Sequence, residues 1–193
     1  MNIKTRREAA IQASIRNARD FLSEGTTIDS LNLVKGELMA LCAQSHLFPR
    51  SDFPVPDGDR VERCFLVHEG DHGDFALYVN SALPGQAYRP HNHGGSWAVI
   101  AAVEGEETHG LYQEVTPDTV KLVNQITVKP GTAVSMLEEG IHSIHAEGDQ
   151  PLLHLHLYGK SFARQGERTE YDLELGIAEH LVMGELDYIE DAR

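Results

Sequence analysis

Histidines are concentrated in the second half of this 193-residue chain, which has eleven of them in total. Six fall close together in short β-like segments: His91, His93, His142, His145, His154 and His156. Neutral imidazole is a common ligand for first-row transition metals. The spacing therefore indicates either a metal site or a set of polar turns that are rich in histidine.

The first pair lies in "GQAYRPHNHGGSWAVI", between a proline and a glycine pair that leads into an apolar run. In a strand, residues i and i+2 point to the same face, so His91 and His93 are predicted to project into one space. Two imidazoles from one strand supply half of a metal site. The pattern alone is common, and the surrounding elements must provide the remaining ligands.

Two helices and a linker are predicted in the first sixty residues. Apolar residues spaced by three and four in residues 6–23 indicate one amphipathic helix. A second helix is predicted after Thr27 or Asp29, either of which can cap its N-terminus. The segment "FPRSDFPVPDGDR" then packs prolines and glycine into a short polar span, which is typical of a linker.

From about residue 61 the pattern changes to short β-type runs separated by turn residues, with no long helix between them. This pattern favours an antiparallel sandwich or barrel over a parallel α/β sheet. We expect a single domain, with helices and linker in 1–60, the β structure in 61–160 and an extension in 161–193. A short C-terminal helix is predicted in "ELGIAEHLVMGEL".

The composition restricts the possible partners. The formal net charge is −14, and an acidic surface repels phosphate backbones, so we expect no nucleic-acid partner. The chain has neither a long apolar run nor the apolar core of a signal peptide, so we expect a soluble, cytoplasmic protein that does not bind membranes. Cys42 and Cys64 lack the spacing of a metal motif and are predicted to be buried thiols.

Two motifs resemble those of the cupin superfamily. Gly85, five residues and then His91-x-His93 are similar to the first cupin motif, and "KPGTAV…EGIHSIHAEG" resembles the second. The resemblance covers about residues 61–160. It implies an all-β double-stranded β-helix, or jelly-roll barrel, and it implies that His142 is the third metal ligand.

One position departs from the common cupin pattern. Most cupins place a glutamate ligand after three or four intervening residues beyond the second histidine, where this chain has Trp97 and Ala98. Glu104, Glu106 and Glu107 fall near a predicted hairpin turn and are expected to be solvated. A divalent ion held by three neutral histidines keeps its full charge, which favours an anionic substrate such as a thiolate or an enolate.

The three-histidine set resembles the thiol dioxygenase family, whose members use non-haem Fe(II) and O2 to convert a thiol into a sulfinate. That family carries Ser-x-His-x-Tyr near the end of the barrel, and "LLHLHLYGK" supplies His154, His156 and Tyr158 at the corresponding positions. The resemblance implies that His156 and Tyr158 act beside the metal. His154 replaces the family serine.

The resemblance also implies an arginine that binds the substrate carboxylate. In the mercaptopropionate branch this arginine follows the His-x-Tyr strand, where Arg164 and Arg168 are candidates, although either could equally be a solvated loop residue. The cysteine-specific arginine would lie near Phe65, and Arg63 does not match it. We therefore expect a mercapto-carboxylate rather than cysteine. His145 is a candidate for the pocket rim.

Two other functions remain open from the sequence. A three-histidine cupin could instead cleave a C–C bond in a β-diketone or a diol, or it could bind a metal or small ligand without catalysis. The sequence also leaves open which thiol is used, whether the metal is iron rather than nickel, manganese or zinc, and the oligomeric state. Among these alternatives, the His-x-Tyr motif favours an iron-dependent thiol dioxygenase.

Overall fold

The computed structural model describes residues 2–182 and 189–193. Two helices come first, α1 (Ile3–Phe21) and α2 (Ile28–Cys42), followed by a short 3₁₀ turn at Ser45–Leu47. A second 3₁₀ turn lies at Phe162–Arg164. The strands of the described part are β1 (Glu62–His68), β2 (Asp74–Ala82), β3 (Ala87–His91), β4 (Ala98–Glu104), β5 (Glu107–Thr116), β6 (Thr119–Val128), β7 (Ala133–Met136), β8 (Ile141–Ala146), β9 (Leu152–Lys160), β10 (Glu167–Asp172), β11 (Ile177–Val182) and β12 (Ile189–Asp191).

These strands form two six-stranded sheets. The first sheet has the order β12-β1-β2-β9-β4-β7 and the second has the order β11-β10-β3-β8-β5-β6. The eight strands from β2 to β9 are divided between the sheets as β2-β9-β4-β7 and β3-β8-β5-β6, which is the strand order of a jelly roll. The expectation of a mostly β jelly roll preceded by helices is confirmed.

Strand β9 shows how the alternation of the sequence builds the two sides of the first sheet. Its leucines, Leu153, Leu155 and Leu157, belong to a core shared with the helices. Its polar residues between them, among them His154 and His156, are buried on the opposite face. Because successive side chains point to opposite faces, one strand contributes both to the apolar core and to the space between the sheets.

Both helices pack on the outer face of the first sheet, with α2 against β4 and β7. Thr27 caps α2 in a capping box with Ser30, and this agrees with the predicted helix start. Both cysteines are buried, as predicted. None of the helices in the described residues combines the length and the apolar character needed to cross a membrane.

The predicted C-terminal helix is wrong for residues 174–182, where the chain forms a hairpin between β10 and β11. The Asp172 side chain accepts hydrogen bonds from the backbone N–H groups of Glu174 and Leu175, and Gly176 adopts φ 67°. This turn pairs Ile177 with Asp172, so strand pairing overrides the helical pattern. The last four residues of the predicted helix, 183–186, lie outside the described residues.

Candidate functional site

Three histidines converge between the two sheets. His91 ends β3 and is the cross-strand neighbour of His142 on β8, while His93 lies in the turn that follows β3. One ring nitrogen from each residue lies within 4.8 Å of the other two. The strand thus ends two residues before His93, earlier than the His-x-His argument requires, and the turn itself brings His93 to the same space.

The chemistry of these rings fits a transition-metal ion. Burial lowers the pKa of His91 to about 4, and it lowers the pKa values of His93 and His142 well below the ordinary range, so all three rings are neutral near pH 7. Nε2 of His93 lies 3.1 Å from Nε2 of His142. Two nitrogens that bind one ion at about 2.1 Å and roughly right angles are about 3 Å apart.

A buried carboxylate supports one of these histidines through a second ring. Nδ1 of His109 lies 2.9 Å from Nδ1 of His142, and Nε2 of His109 lies 2.8 Å from Oε1 of Glu107. If Nε2–H of His109 donates to Glu107, then Nδ1 of His109 accepts from Nδ1–H of His142. This arrangement leaves the lone pair of His142 Nε2 free to bind a metal.

The expectation that Glu107 is solvated is therefore wrong, because it is buried at the start of β5 with only 5% of its surface exposed. Burial by itself would raise the pKa of Glu107, but the neighbouring His154 and His109 hold the pKa well below its usual range. His109 is not among the six histidines that the sequence pattern groups together. The available signal was the i, i+2 spacing of Glu107 and His109, which places both on one face of a strand.

The turn that carries His93 is fixed against the segment before β10. Oδ1 of Asn92 accepts hydrogen bonds from the backbone N–H groups of Gly94 and Thr169. Gly94 adopts φ 55°, and a Cβ atom at this position would lie 2.4 Å from the carbonyl oxygen of Gly166. The glycine therefore allows two backbones to meet, and this contact sets the histidines beside the residues of β10.

Strand β9 brings His154, His156 and Tyr158 to the same interior space. Nδ1 of His156 lies 3.2 Å from the Tyr158 hydroxyl, and the Tyr158 ring centroid is 5.4 Å from that of His93. Burial lowers the pKa of His156 to about 3 and raises the pKa of Tyr158. Both side chains are thus neutral near pH 7, and the tyrosine keeps its hydroxyl proton.

A cavity of about 220 Å³ opens between the sheets, and its lining includes His91, His154, His156, Tyr158 and Arg168. Cavities that hold drug-sized ligands are usually about 300–1,000 Å³, so this one suits a smaller molecule. Its lining brings together a histidine of the metal-site candidate, the polar face of β9 and a single guanidinium.

The two candidate arginines have different positions. Arg168 is half-buried in the cavity wall, 5.1 Å from the Phe162 ring centroid, and its Nε and Nη2 donate to Oε1 of Gln165. Arg164 is exposed and lies against Gly73. Arg63 forms a bidentate ion pair with Glu190, with both N–O distances at 2.8 Å.

The remaining candidate, His145, has a side chain that is 58% exposed and pairs with Glu147 on the outside of β8. The only tryptophan, Trp97, is buried beside Gly159, where a Cβ atom would lie 2.4 Å from its indole nitrogen. His145 and Trp97 therefore do not belong to the cavity lining.

No protein-family model matches the chain, and no curated protein matches it. Among solved structures, TT1209 from Thermus thermophilus is 21% identical, with 59% of this chain and 97% of that chain covered and a TM-score of 0.45. A conserved protein with a double-stranded β-helix domain from Klebsiella pneumoniae is 16% identical, with coverages of 63% and 93% and a TM-score of 0.47. KdgF from Halomonas sp. is 16% identical, with coverages of 58% and 94% and a TM-score of 0.44.

Proposed function

We propose that this protein is a non-haem Fe(II) thiol dioxygenase that oxidises a small mercapto-carboxylate with O2 to a sulfinate. The observation that carries the proposal is the combination of groups around one small cavity. His91 of the neutral histidine triad, the His156–Tyr158 pair and Arg168 line it, and His93 and His142 lie beside His91. Each group corresponds to one requirement of the reaction, namely a metal site, a neutral proton donor and a carboxylate anchor.

His91, His93 and His142 would hold the iron. All three are neutral ligands, so the charge of the ion is not offset by a ligand carboxylate, which favours an anionic thiolate in the cavity. When bound, Fe(II) would supply the one-electron chemistry through which O2 reacts with a closed-shell thiolate. The Glu107–His109 relay would keep the His142 ring in the tautomer that binds through Nε2.

Arg168 would anchor the substrate. Gln165 takes up Nε and one hydrogen of Nη2, so the edge formed by Nη1 and Nη2 is the edge that can receive a carboxylate in two parallel hydrogen bonds. The stacking on Phe162 holds the plane of the guanidinium in place. A thiol that carries a carboxylate would then be oriented at both ends.

Tyr158 would contribute its hydroxyl proton as a hydrogen bond to the substrate's polar group or to the oxygen atoms as charge develops on them. Its high pKa keeps it protonated, and His156 fixes the direction of the hydroxyl. In the overall reaction, RSH and O2 give RSO2⁻ and one proton. Sulfur is oxidised by four electrons, O2 is reduced by four electrons, and both oxygen atoms end on sulfur.

The test is O2 consumption by Fe(II)-loaded protein with cysteine, 3-mercaptopropionate, cysteamine, mercaptosuccinate and 3-mercaptolactate. We expect one mercapto-carboxylate to consume one O2 per thiol and to yield a sulfinate, and His142→Ala to abolish the reaction. His145→Ala is the matched control, because His145 lies three residues away on the same strand but is exposed, and it should leave the rate unchanged.

If every thiol is inert while the protein retains iron, the thiol assignment is wrong. The same assay should then use β-diketones and catechol-type substrates, whose oxidation would indicate the C–C-cleaving alternative. Inertness towards both classes would favour a cupin that binds a metal or a small ligand without catalysis.

A further inference from the structure

A second group of potential metal ligands faces the same cavity. Glu107 on β5 and His154 and His156 on β9 each offer one ligand atom, and these atoms lie within 4.8 Å of one another. All three residues are buried, with exposed fractions of 5%, 1% and 5%, and all three line the cavity. The group shares no residue with His91, His93 and His142.

His154 has a buried ring nitrogen without a hydrogen-bond partner among the described residues. That nitrogen is Nε2, whereas Nδ1 lies 2.9 Å from Oε1 of Glu107, the oxygen that His109 also contacts. A buried polar group without a partner is costly, and each such group in a folded protein needs an explanation. Two explanations are available, a hydrogen bond to Glu107 from one ring nitrogen alone or an ion that lies between the two side chains.

The charges favour the ion. Glu62 also lines the cavity, and Glu107 is close enough to contribute to raising its pKa, after the larger effect of burial. Three carboxyl groups, those of Glu62, Glu107 and Glu170, therefore border a space of about 220 Å³, and Arg168 is the arginine of the described lining. A divalent cation at Glu107 would offset this negative charge, and it would bind both His154 and the second carboxylate oxygen of Glu107.

We propose that Glu107, His154 and His156 bind a second divalent transition-metal ion. Two imidazoles and one carboxylate form a ligand set that suits Fe(II) and Zn²⁺. Oε1 of Glu107 can keep its contact with His109 while the other carboxylate oxygen binds the ion, because a carboxylate accepts at both oxygens. The cavity provides the route by which the ion enters.

Occupation of this site would also set the proton position in the His156–Tyr158 pair. Nδ1 of His156 faces the tyrosine hydroxyl at 3.2 Å, so Nε2 is the nitrogen available to an ion. Binding at Nε2 puts the ring proton on Nδ1, which then donates to the Tyr158 oxygen and frees the tyrosine O–H to donate into the cavity. This consequence rests on the proposed thiol oxidation, whereas the binding of the ion does not.

The experiment counts bound metal. Wild-type protein and variants are dialysed against Co²⁺, and cobalt and protein are then quantified in the same samples. We expect two Co²⁺ per wild-type chain, one in His154→Ser, one in His142→Ala and none in the double variant. His145→Ala is the control for loss of an exposed histidine and should retain two. The Co²⁺ absorption spectrum of His142→Ala should report the second site alone, and adding His154→Ser should remove it.

One Co²⁺ in both the wild type and His154→Ser would overturn the proposal, as would two in both, since the extra ion would then lie elsewhere. One Co²⁺ in the wild type that is lost in His154→Ser but retained in His142→Ala would support this site and would instead count against the triple-histidine assignment. Circular dichroism checks that each variant is folded. If His154→Ser fails this check, His156→Gln takes its place with the same expected counts.

Discussion

Replacing Arg168 with alanine separates substrate anchoring from the chemistry of the site. The structure offers one guanidinium edge to a carboxylate, which corresponds to two charge-assisted hydrogen bonds. Hydrogen bonds to charged groups contribute about 1.5–3 kcal/mol each, and the partly exposed position of Arg168 argues for the lower part of that range. A total loss of about 3–4 kcal/mol corresponds to a decrease in kcat/KM of about 160- to 900-fold.

The assay compares 3-mercaptopropionate with 1-propanethiol, which has no carboxylate, in the wild type and in Arg168→Ala. We expect the large decrease for the acid only, with kcat/KM for propanethiol changed less than about threefold. Arg164→Ala is the matched control, because Arg164 is an exposed arginine four residues earlier, and it should change neither value. Equal losses for both thiols would refute the anchoring role, because they would show that Arg168 acts on the shape of the site. A large loss in Arg164→Ala would refute the assignment of the anchor to Arg168.

Three further predictions concern the tyrosine, the glycine turn and acid stability. Tyr158→Phe should lower kcat about 10²-fold while KM for the thiol changes little, because only the hydroxyl is removed; equal kcat values would exclude a role for the proton. Gly94→Ala should lower the free energy of unfolding by about 1–3 kcal/mol in denaturant titrations, since φ is 55° and the added Cβ would meet the carbonyl of Gly166. Burial lowers the pKa of His91 to about 4 and that of His156 to about 3 in the folded protein. As the pH falls, the unfolded chain therefore binds protons at these histidines before the folded chain does. The free energy of unfolding of the metal-free protein should therefore be highest above about pH 6.5 and should decrease as the pH falls towards 4. A denaturant midpoint that stays constant over this interval would contradict the burial of neutral His91 and His156.

Much of the fold could be predicted because its signals are local. The helix positions follow from apolar spacing and from a cap at Thr27, and the strands follow from short β-type runs with turn residues between them. The alternation of leucine and histidine in β9 even indicates which residues face the interior. The segment after Asp172 could not be predicted in this way, because its strand partners and the turn closed by Gly176 outweigh a helical pattern of apolar residues.

The candidate site likewise contains some residues that the sequence predicts and others that it does not. His91 and His93 are evident from their spacing, but Glu107 is not, since a glutamate beside a predicted hairpin is usually solvated. Its burial depends on two facing sheets that bring β5 against β9, and this long-range contact has no local signal. The same holds for Arg164 and Arg168, which are four residues apart in similar sequence surroundings but differ in exposure.

Glu107 and His154 account for each other's burial. An imidazole at position 154, where the thiol dioxygenases carry a serine, places two more ring nitrogens in a dry interior that must be satisfied. A carboxylate at position 107 needs positive charge or donors, which His109 alone supplies only at one oxygen. The jelly roll sets these two positions opposite each other, with Oε1 of Glu107 2.9 Å from Nδ1 of His154, although 47 positions separate them in the chain. Each residue would be less favourable without the other, so His154 extends the polar network on the wall of the cavity.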